Sequence, residues 1–158
     1  KILSLSYLTI FSVLVFNELT HVEFINKVNI IYLLFICIAS DVGGLVFGKV
    51  FKGKKLIKIS PNKTISGSIG SFILSLSLVP FIYYFMGQVI NFFDLVMLTI
   101  IVSFFCQLGD LFISYLKRKA NVKDTGDLLP GHGGFLDRID GMLFAIPIGI
   151  TLFEIFII

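Results

Sequence analysis

Five apolar segments fill most of this 158-residue chain and constrain its fold more than any other feature. The hydrocarbon core of a bilayer is about 30 Å thick, so a crossing helix needs about 20 apolar residues. The chain is 56% hydrophobic and only 15% charged, too apolar for a soluble fold of this size. The predicted spans are residues 28–48, 66–86, 89–113 and 141–158, with a shorter one at 2–16. The sequence therefore predicts an all-α, polytopic transmembrane helical bundle.

The beginning of the chain suggests that more sequence precedes it. Residue 1 is a lysine rather than an initiator methionine, and the first apolar segment is short for a membrane span. We therefore expect a fragment that lacks N-terminal transmembrane helices. No internal repeat, low-complexity tract or proline-rich linker divides the sequence, so residues 1–158 are predicted to form a single integral membrane domain.

The basic residues predict how the chain is oriented in the membrane. Eleven of the 13 lie in two polar loops: Lys49, Lys52, Lys54, Lys55, Lys58 and Lys63 in the first, and Lys117, Arg118, Lys119, Lys123 and Arg138 in the second. Two predicted spans separate the loops, so both lie on one side of the membrane, and the positive-inside rule makes that side cytoplasmic. Without a soluble basic domain, anionic lipid headgroups and nucleotides are better partners than nucleic acid.

Two aspartates fall inside predicted spans. A carboxylate near the middle of a membrane helix costs about 2.5–3.5 kcal/mol on insertion scales, so one that persists usually faces a polar interior. Asp41 is followed by Gly43, Gly44 and Gly48, which allow a ligand or another helix to approach the backbone. Asp41 is therefore a candidate binding residue. The alternative is a hydrogen bond that locks two helices together.

Asp110 belongs to a longer polar pattern. On a helix, Asp110, Ser114, Lys117 and Arg118 follow one another at spacings of four, three and one residues, so they share one face. That face predicts a polar cavity that opens toward the cytoplasm. Taken alone, the two basic residues could also be an ordinary juxtamembrane helix end.

A glycine-rich stretch with two further carboxylates completes the pattern. Gly133 and Gly134 permit backbone N–H groups to approach an anion, and Asp137 and Asp140 are three residues apart at the start of the last span. His132 has no cysteine or histidine companion at a zinc spacing, whereas carboxylates together with phosphates suit Mg²⁺. The residue types thus predict phosphoryl or nucleotidyl transfer at the membrane surface, which needs alignment and charge neutralisation more than covalent chemistry.

These residues carry a resemblance to a known family. Ser114-x-Leu116-Lys117-Arg118, Lys123-Asp124-x-Gly126 and Leu129-Pro130-x-His132-Gly133-Gly134-Phe135-x-Asp137-Arg138-Ile139-Asp140 resemble the signature of the phosphatidate cytidylyltransferases. The stretch from Asp41 to Leu56, Ile59 to Thr64, and Gln107-Leu108-Gly109-Asp110-Leu111 resemble further regions of the same family. The similarity covers most of the chain, which corresponds to the C-terminal part of such an enzyme.

The resemblance implies a reaction and roles for individual residues. The phosphate of phosphatidic acid would attack the α-phosphorus of CTP, giving CDP-diacylglycerol and pyrophosphate. Asp110 and Asp137 would bind Mg²⁺, with Asp140 as a further ligand, and a second cation could join. The remaining catalytic residues would be Ser114, Lys117, Arg118, His132 and Arg138. The substrate-binding residues would be Asp41, Ser60, Lys63, Thr64, Lys123, Asp124, Gly133 and Gly134.

Two positions depart from the family pattern. Ser66 stands where an acidic residue is usual in the run Lys63-Thr64-Ile65-Ser66-Gly67, and Leu45 replaces a frequent tyrosine. Any nucleotide contact made by those missing side chains is therefore in question. The small residues Ser66, Gly67, Gly70, Ser71 and Ser75 are typical of close helix packing.

Two alternative functions remain at this point. A CTP-dependent lipid kinase of the polyprenol or phytol type would transfer the γ-phosphate instead. An anion transporter would line its path with Asp41 and Asp110, but it predicts polar residues spread through the membrane depth. The resemblance favours an enzyme embedded in the lipid bilayer of the bacterial inner membrane, with an active site that faces the cytoplasm and acts on CTP and phosphatidic acid. A homodimer is a possible assembly.

Overall fold

A computed structural model describes residues 2–20, 24–57, 60–85, 90–120 and 136–157 of the chain. Six helices and one short hairpin make up these residues. In chain order they are α1 (Ile2–Thr20), α2 (Phe24–Phe51), β1 (Lys55–Ile57), β2 (Ser60–Thr64), α3 (Ile65–Leu76), α4 (Val79–Phe85), α5 (Phe92–Lys119) and α6 (Leu136–Ile157).

The predicted membrane-spanning helical bundle is confirmed. Among the described residues, four helical segments are long and apolar enough to cross a bilayer: Lys27–Phe51, Ile65–Phe85, Phe92–Lys119 and Ile139–Phe156. Residues Ser6–Thr20 of α1 form a shorter apolar helix. The chain is thus an integral membrane protein by the length and composition of its helices.

The segment predicted as one span at 66–86 consists of two helices. Pro80 has no backbone N–H to donate, so a continuous helix would lose a hydrogen bond at this point. The Leu78 N–H instead bonds to the Ser75 carbonyl in a tighter turn, and α4 restarts where the Ile82 N–H bonds to the Leu78 carbonyl. The break lies away from the basic loops, and the helix before it, α3, has 12 residues.

Helices α2 and α3 meet through glycines. A Cβ atom on Gly43 would lie 2.5 Å from the carbonyl oxygen of Gly70, and one on Gly67 would lie 2.7 Å from the carbonyl oxygen of Gly44. Such distances are shorter than any real Cβ contact, so these backbones touch only because the side chains are absent. The close helix packing predicted from the small residues is therefore present.

The apolar core lies between α2, α5 and α6. Leu33 and Ile36 of α2 pack with Leu95 and Leu98 of α5, all fully buried, and Ile150 contributes from α6. In the same region the hydroxyls of Tyr32 and Thr99 form a buried hydrogen bond of 2.6 Å. This core joins α2 to α5 and α6, the two helices that carry Asp110 and Asp140.

The hairpin β1–β2 was not predicted from the sequence, which read this stretch as a loop. Its strands are antiparallel, with Lys55 opposite Thr64 and Ile57 opposite Ser60. The Ile65 N–H donates to the Lys54 carbonyl, and the Gly53 N–H donates to Ser66 Oγ. These two bonds tie the hairpin to the first turn of α3, so its residues have a defined position beside the bundle.

Candidate active site

A cavity of about 360 Å³ lies at the end of the bundle that carries the basic residues. Ligand sites commonly occupy about 300–1,000 Å³, so this volume is at the small end of that range. Five elements contribute to its wall: α2, the hairpin, α3, α5 and α6. Its polar lining residues are Ser40, Asp41, Lys63, Thr64, Ser68, Ser71, Gln107, Asp110, Ser114, Lys117 and Asp140.

Two carboxylates from neighbouring helices meet in this cavity. Asp110 lies on α5 and Asp140 in the first turns of α6, and both line the cavity. Gly141 makes the approach possible, because a Cβ at that position would lie 2.7 Å from Asp110 Oδ1. Two carboxylates this close repel each other unless a proton or a cation offsets their charge. The helix packing therefore builds a site that favours positive charge.

Each carboxylate is paired with a lysine. Lys63 Nζ, from β2, donates to Asp110 Oδ2 at 2.9 Å, and Lys117 Nζ, from α5, donates to Asp140 Oδ2 at 3.5 Å. The first pair is partly exposed, whereas the second has side-chain exposures of only 14% and 11%. Positive and negative groups thus alternate around the cavity, which suits a ligand that brings both phosphates and a metal ion.

Of the four residues that helical spacing predicted on one face of α5, three line the cavity. Asp110, Ser114 and Lys117 all line the cavity, but Arg118 is exposed and is not part of its wall. At 3.6 residues per turn, Arg118 lies about 80° around the helix from Asp110, enough to point it elsewhere. The structure therefore does not bring Arg118 to the other predicted site residues.

The other described candidates have defined places. Asp41 lines the cavity on α2, where its carboxylate accepts from the Cys106 thiol at 3.9 Å. Thr64 caps α3 by accepting from the Gly67 N–H, and it also lines the cavity. Ser60 belongs to β2, but its side chain lies outside the described part of the structure.

Several predicted residues cannot be placed. Lys123, Asp124, His132, Gly133 and Gly134 lie outside the described residues, as do the side chains of Asp137 and Arg138. The backbone of Asp137 is in the first turn of α6, three residues before Asp140. The convergence of Asp110 with Asp137 and the roles of the glycine-rich stretch stay predictions.

Four polar lining residues were missed as site candidates: Ser40, Ser68, Ser71 and Gln107. Ser68 Oγ, on α3, donates a hydrogen bond to Gln107 Oε1 on α5, so the two helices are bridged at the inner part of the cavity. The available signal was helical spacing, because Gln107 precedes Asp110 by three residues and so shares its face. A neutral amide carries no charge that would distinguish it from other polar residues of a membrane helix.

The two departures from the family pattern have different surroundings. Ser66 closes the hairpin: its hydroxyl accepts from the Gly53 N–H at 3.2 Å and exchanges a hydrogen bond with Thr64, and it does not line the cavity. Leu45 does line the cavity and is 61% exposed. Ser66 thus acts in local packing, whereas Leu45 places an apolar side chain at the mouth of the site.

The donor atoms fit a hard divalent ion in part. Among the described residues, no group of three histidine, cysteine or acidic side chains is arranged to hold a metal. Asp110 and Asp140 nevertheless supply adjacent carboxylate oxygens, and Ser114 adds a hydroxyl to the same cavity. Mg²⁺ is commonly held by one or two carboxylates together with substrate phosphates and water, so these oxygens suffice for a site completed by substrate.

Comparison with known proteins identifies the family of the chain. The profile of the cytidylyltransferase family matches residues 1–156, almost the whole chain. The chain belongs to this family. The resemblance found in the sequence is therefore confirmed, and the cytidylyltransferase pattern includes both helices that carry the cavity carboxylates.

Curated members of the family are closely similar to the chain. Phosphatidate cytidylyltransferases of Staphylococcus haemolyticus and Helicobacter pylori are 44% and 42% identical to it over 120 residues. The match covers 75% of this chain but only 46% and 44% of those proteins. The chain thus spans about half the length of the curated relatives it matches.

A solved structure shares the fold. An intramembrane enzyme for archaeal membrane lipid biosynthesis superposes with a TM-score of 0.54 at 18% sequence identity. The superposition covers 75% of this chain and 77% of that one. The chain and this archaeal enzyme therefore share a fold over most of their lengths.

Proposed function

We propose that the chain is the catalytic part of a phosphatidate cytidylyltransferase. A phosphate oxygen of phosphatidic acid attacks the α-phosphorus of CTP, the bond from that phosphorus to the bridging oxygen breaks, and pyrophosphate leaves. The products are CDP-diacylglycerol and pyrophosphate. The observation that carries this proposal is the meeting of Asp110 and Asp140 with Lys63 and Lys117 in one cavity of a membrane bundle.

The charges of the cavity suit this chemistry. Both substrates are anionic, so their phosphates repel each other unless cationic groups stand between them. Lys63 and Lys117 reach the cavity from different elements and can neutralise phosphates on two sides. Ser114 offers a hydroxyl that can donate to a phosphate oxygen. The phosphatidate nucleophile is already an anion near neutral pH, so a strong general base is not required.

Asp110 and Asp140 would hold Mg²⁺, with Asp137 predicted to complete the set and a second cation able to join. The ion would neutralise phosphate charge during the transfer. The role of the chain is to keep the two carboxylates adjacent, which the contact of Asp110 with Gly141 achieves. His132, Gly133, Gly134, Lys123, Asp124 and Arg138 are predicted to complete the substrate contacts.

The site is proposed to face the cytoplasm from the bacterial inner membrane. Its support is the distribution of charge: the basic residues gather at one end of the bundle, and the contact from Lys63 to Asp110 joins the first basic loop to the helix that leads into the second. CTP would enter from the aqueous side and phosphatidic acid from the bilayer. A homodimer is an expectation from family resemblance.

Radiolabelled CTP tests the reaction. Membranes that contain the protein are supplied with phosphatidic acid and Mg²⁺. Label in the α-phosphate of CTP should enter a liponucleotide, and the pyrophosphate that is released should carry no label. Chelation with EDTA should abolish both. Label that reaches the lipid only from the γ-phosphate would identify a CTP-dependent lipid kinase instead and would reject the proposal.

A further inference from the structure

The ion pair between Lys63 and Asp110 occupies a carboxylate that is also assigned to the metal. Lys63 Nζ lies 2.9 Å from Asp110 Oδ2, while Asp110 Oδ1 lies beside Gly141, the residue after Asp140. An ammonium group and a divalent cation on one carboxylate repel each other, so Lys63 and a metal ion compete for Asp110. Either Lys63 leaves Asp110 when a metal binds, or the pair weakens metal binding.

The local structure leaves Lys63 able to move without disturbing the bundle. The backbone around it is fixed, because Thr64 caps α3 and the Ile65 N–H bonds to the Lys54 carbonyl. The Lys63 side chain itself is 31% exposed and ends in a flexible four-carbon stem. Its ammonium group can therefore turn within the cavity while the hairpin stays in place.

We infer that Lys63 exchanges Asp110 for a nucleotide phosphate when a divalent cation binds, so that it couples metal binding to nucleotide binding. This inference rests on the proposed function, since it takes Asp110 as a metal ligand and CTP as the ligand. Without metal, Lys63 neutralises Asp110 and contributes little to nucleotide affinity. With metal, Lys63 is released toward the phosphates. The coupling is reciprocal: the factor by which the metal raises the affinity for nucleotide equals the factor by which the nucleotide raises the affinity for metal.

Metal binding in the absence of nucleotide gives the first test. Mn²⁺ binding to the detergent-solubilised full-length protein can be followed by electron paramagnetic resonance for wild type, Lys63→Met, Lys55→Met and Asp110→Asn. Lys55 is the matched control, because it lies opposite Thr64 in the same hairpin, is exposed and does not line the cavity. Lys63→Met should tighten Mn²⁺ binding about fivefold, because it removes a partly exposed ion pair with Asp110. Lys55→Met should change Mn²⁺ binding by less than about twofold.

Nucleotide binding gives the second test. CTP affinity is measured without lipid, with and without Mn²⁺, so that no turnover occurs. Lys63→Met should weaken CTP binding about tenfold when Mn²⁺ is present, a loss typical of a charge-assisted contact, and by less than about twofold when Mn²⁺ is absent. An equal loss under both conditions would mean that Lys63 contacts phosphate without exchange, and would overturn the inference.

The two proposals fail in different ways. If Asp110→Asn binds Mn²⁺ as tightly as wild type does, the proposed metal site is wrong. If Asp110→Asn weakens Mn²⁺ binding but Lys63→Met and Lys55→Met behave alike, the metal site stands and the exchange is wrong. Lys63→Gln replaces Lys63→Met if the latter loses its thermal unfolding transition, since its amide keeps a polar end in the half-exposed position.

Discussion

The α2–α3 interface and the α5 side of the cavity are built on opposite principles. Helices α2 and α3 touch backbone to backbone, with Gly43 against the Gly70 carbonyl. Across the cavity, α5 meets β2 and α3 through polar side chains, in the Lys63–Asp110 ion pair and the Ser68–Gln107 hydrogen bond. No ligand fits between Gly43 and Gly70, whereas the polar side chains of α5 lie around a cavity of about 360 Å³.

The glycine contacts between α2 and α3 stabilise the bundle, whereas the polar contacts of α5 form the candidate site. Close glycine contacts allow dense van der Waals packing, which drives helix association in a bilayer where apolar burial gives little net gain. Polar groups within the membrane are costly and are kept where they bind one another or a ligand. A change in the glycine interface should therefore lower stability, and a change in the polar wall should lower activity.

The largest expected effect comes from the polar wall. Asp110→Asn should reduce liponucleotide synthesis by about three orders of magnitude, because it removes a charge that would hold the metal beside the reacting phosphate. Thermal unfolding in detergent should change little by comparison. Asp94→Asn, at the opposite end of α5, is the control and should keep nearly full activity. Equal activity in both variants would remove Asp110 from the site.

The next effect distinguishes two adjacent basic residues. Lys117→Gln should lower activity about 100-fold, since the Lys117 side chain is largely buried, lines the cavity and pairs with Asp140. Arg118→Gln should lower it less than about threefold, because an exposed charge acts mainly through screened attraction. Initial rates at saturating CTP measure both. A loss at Arg118 as large as that at Lys117 would contradict the orientation of this face of α5.

The scaffold is tested by adding a single methyl group. Gly43→Ala should lower the free energy of unfolding by about 1–3 kcal/mol, because its Cβ would meet the Gly70 carbonyl oxygen and the helices must separate. Gly44→Ala is the matched control: its Cβ would lie 3.0 Å from the Ser71 hydroxyl and 3.9 Å from the Gly67 carbonyl oxygen, so its one tight contact is with a side chain rather than backbone. Thermal unfolding in detergent gives the comparison. Equal stability would show that α2 and α3 are less tightly packed than described.

The smallest expected effect concerns the hydrogen bond from Ser68 to Gln107, which joins α3 to α5. Ser68→Ala should lower the free energy of unfolding by about 1 kcal/mol, since it leaves the Gln107 side chain without its hydrogen-bond donor. Ser77→Ala, whose hydroxyl bonds only to the Leu74 carbonyl of the preceding turn and is exposed, should be nearly neutral. If both changes are neutral in thermal unfolding, Ser68 and Gln107 do not hold α3 to α5.

Much of the fold could be predicted because its signals are local. Apolar runs of membrane-spanning length fix helices wherever they occur, and the glycines of residues 43–48 and 67–70 indicated close packing. The break between α3 and α4 could have been read from Pro80. The hairpin could not, since its strands of three and five residues carry little periodicity and are held by contacts to Lys54 and Ser66.

For the site, the sequence by itself determined which residue types and helix faces are available: Asp110, Ser114 and Lys117 share a face because helical geometry requires it. Only the tertiary structure decided which of these groups meet. It paired Lys63 with Asp110 across 47 positions of sequence and brought Asp140 to Asp110 past Gly141. The physical reason is that pairings between helices depend on the depth and rotation at which they pack, which no local pattern records.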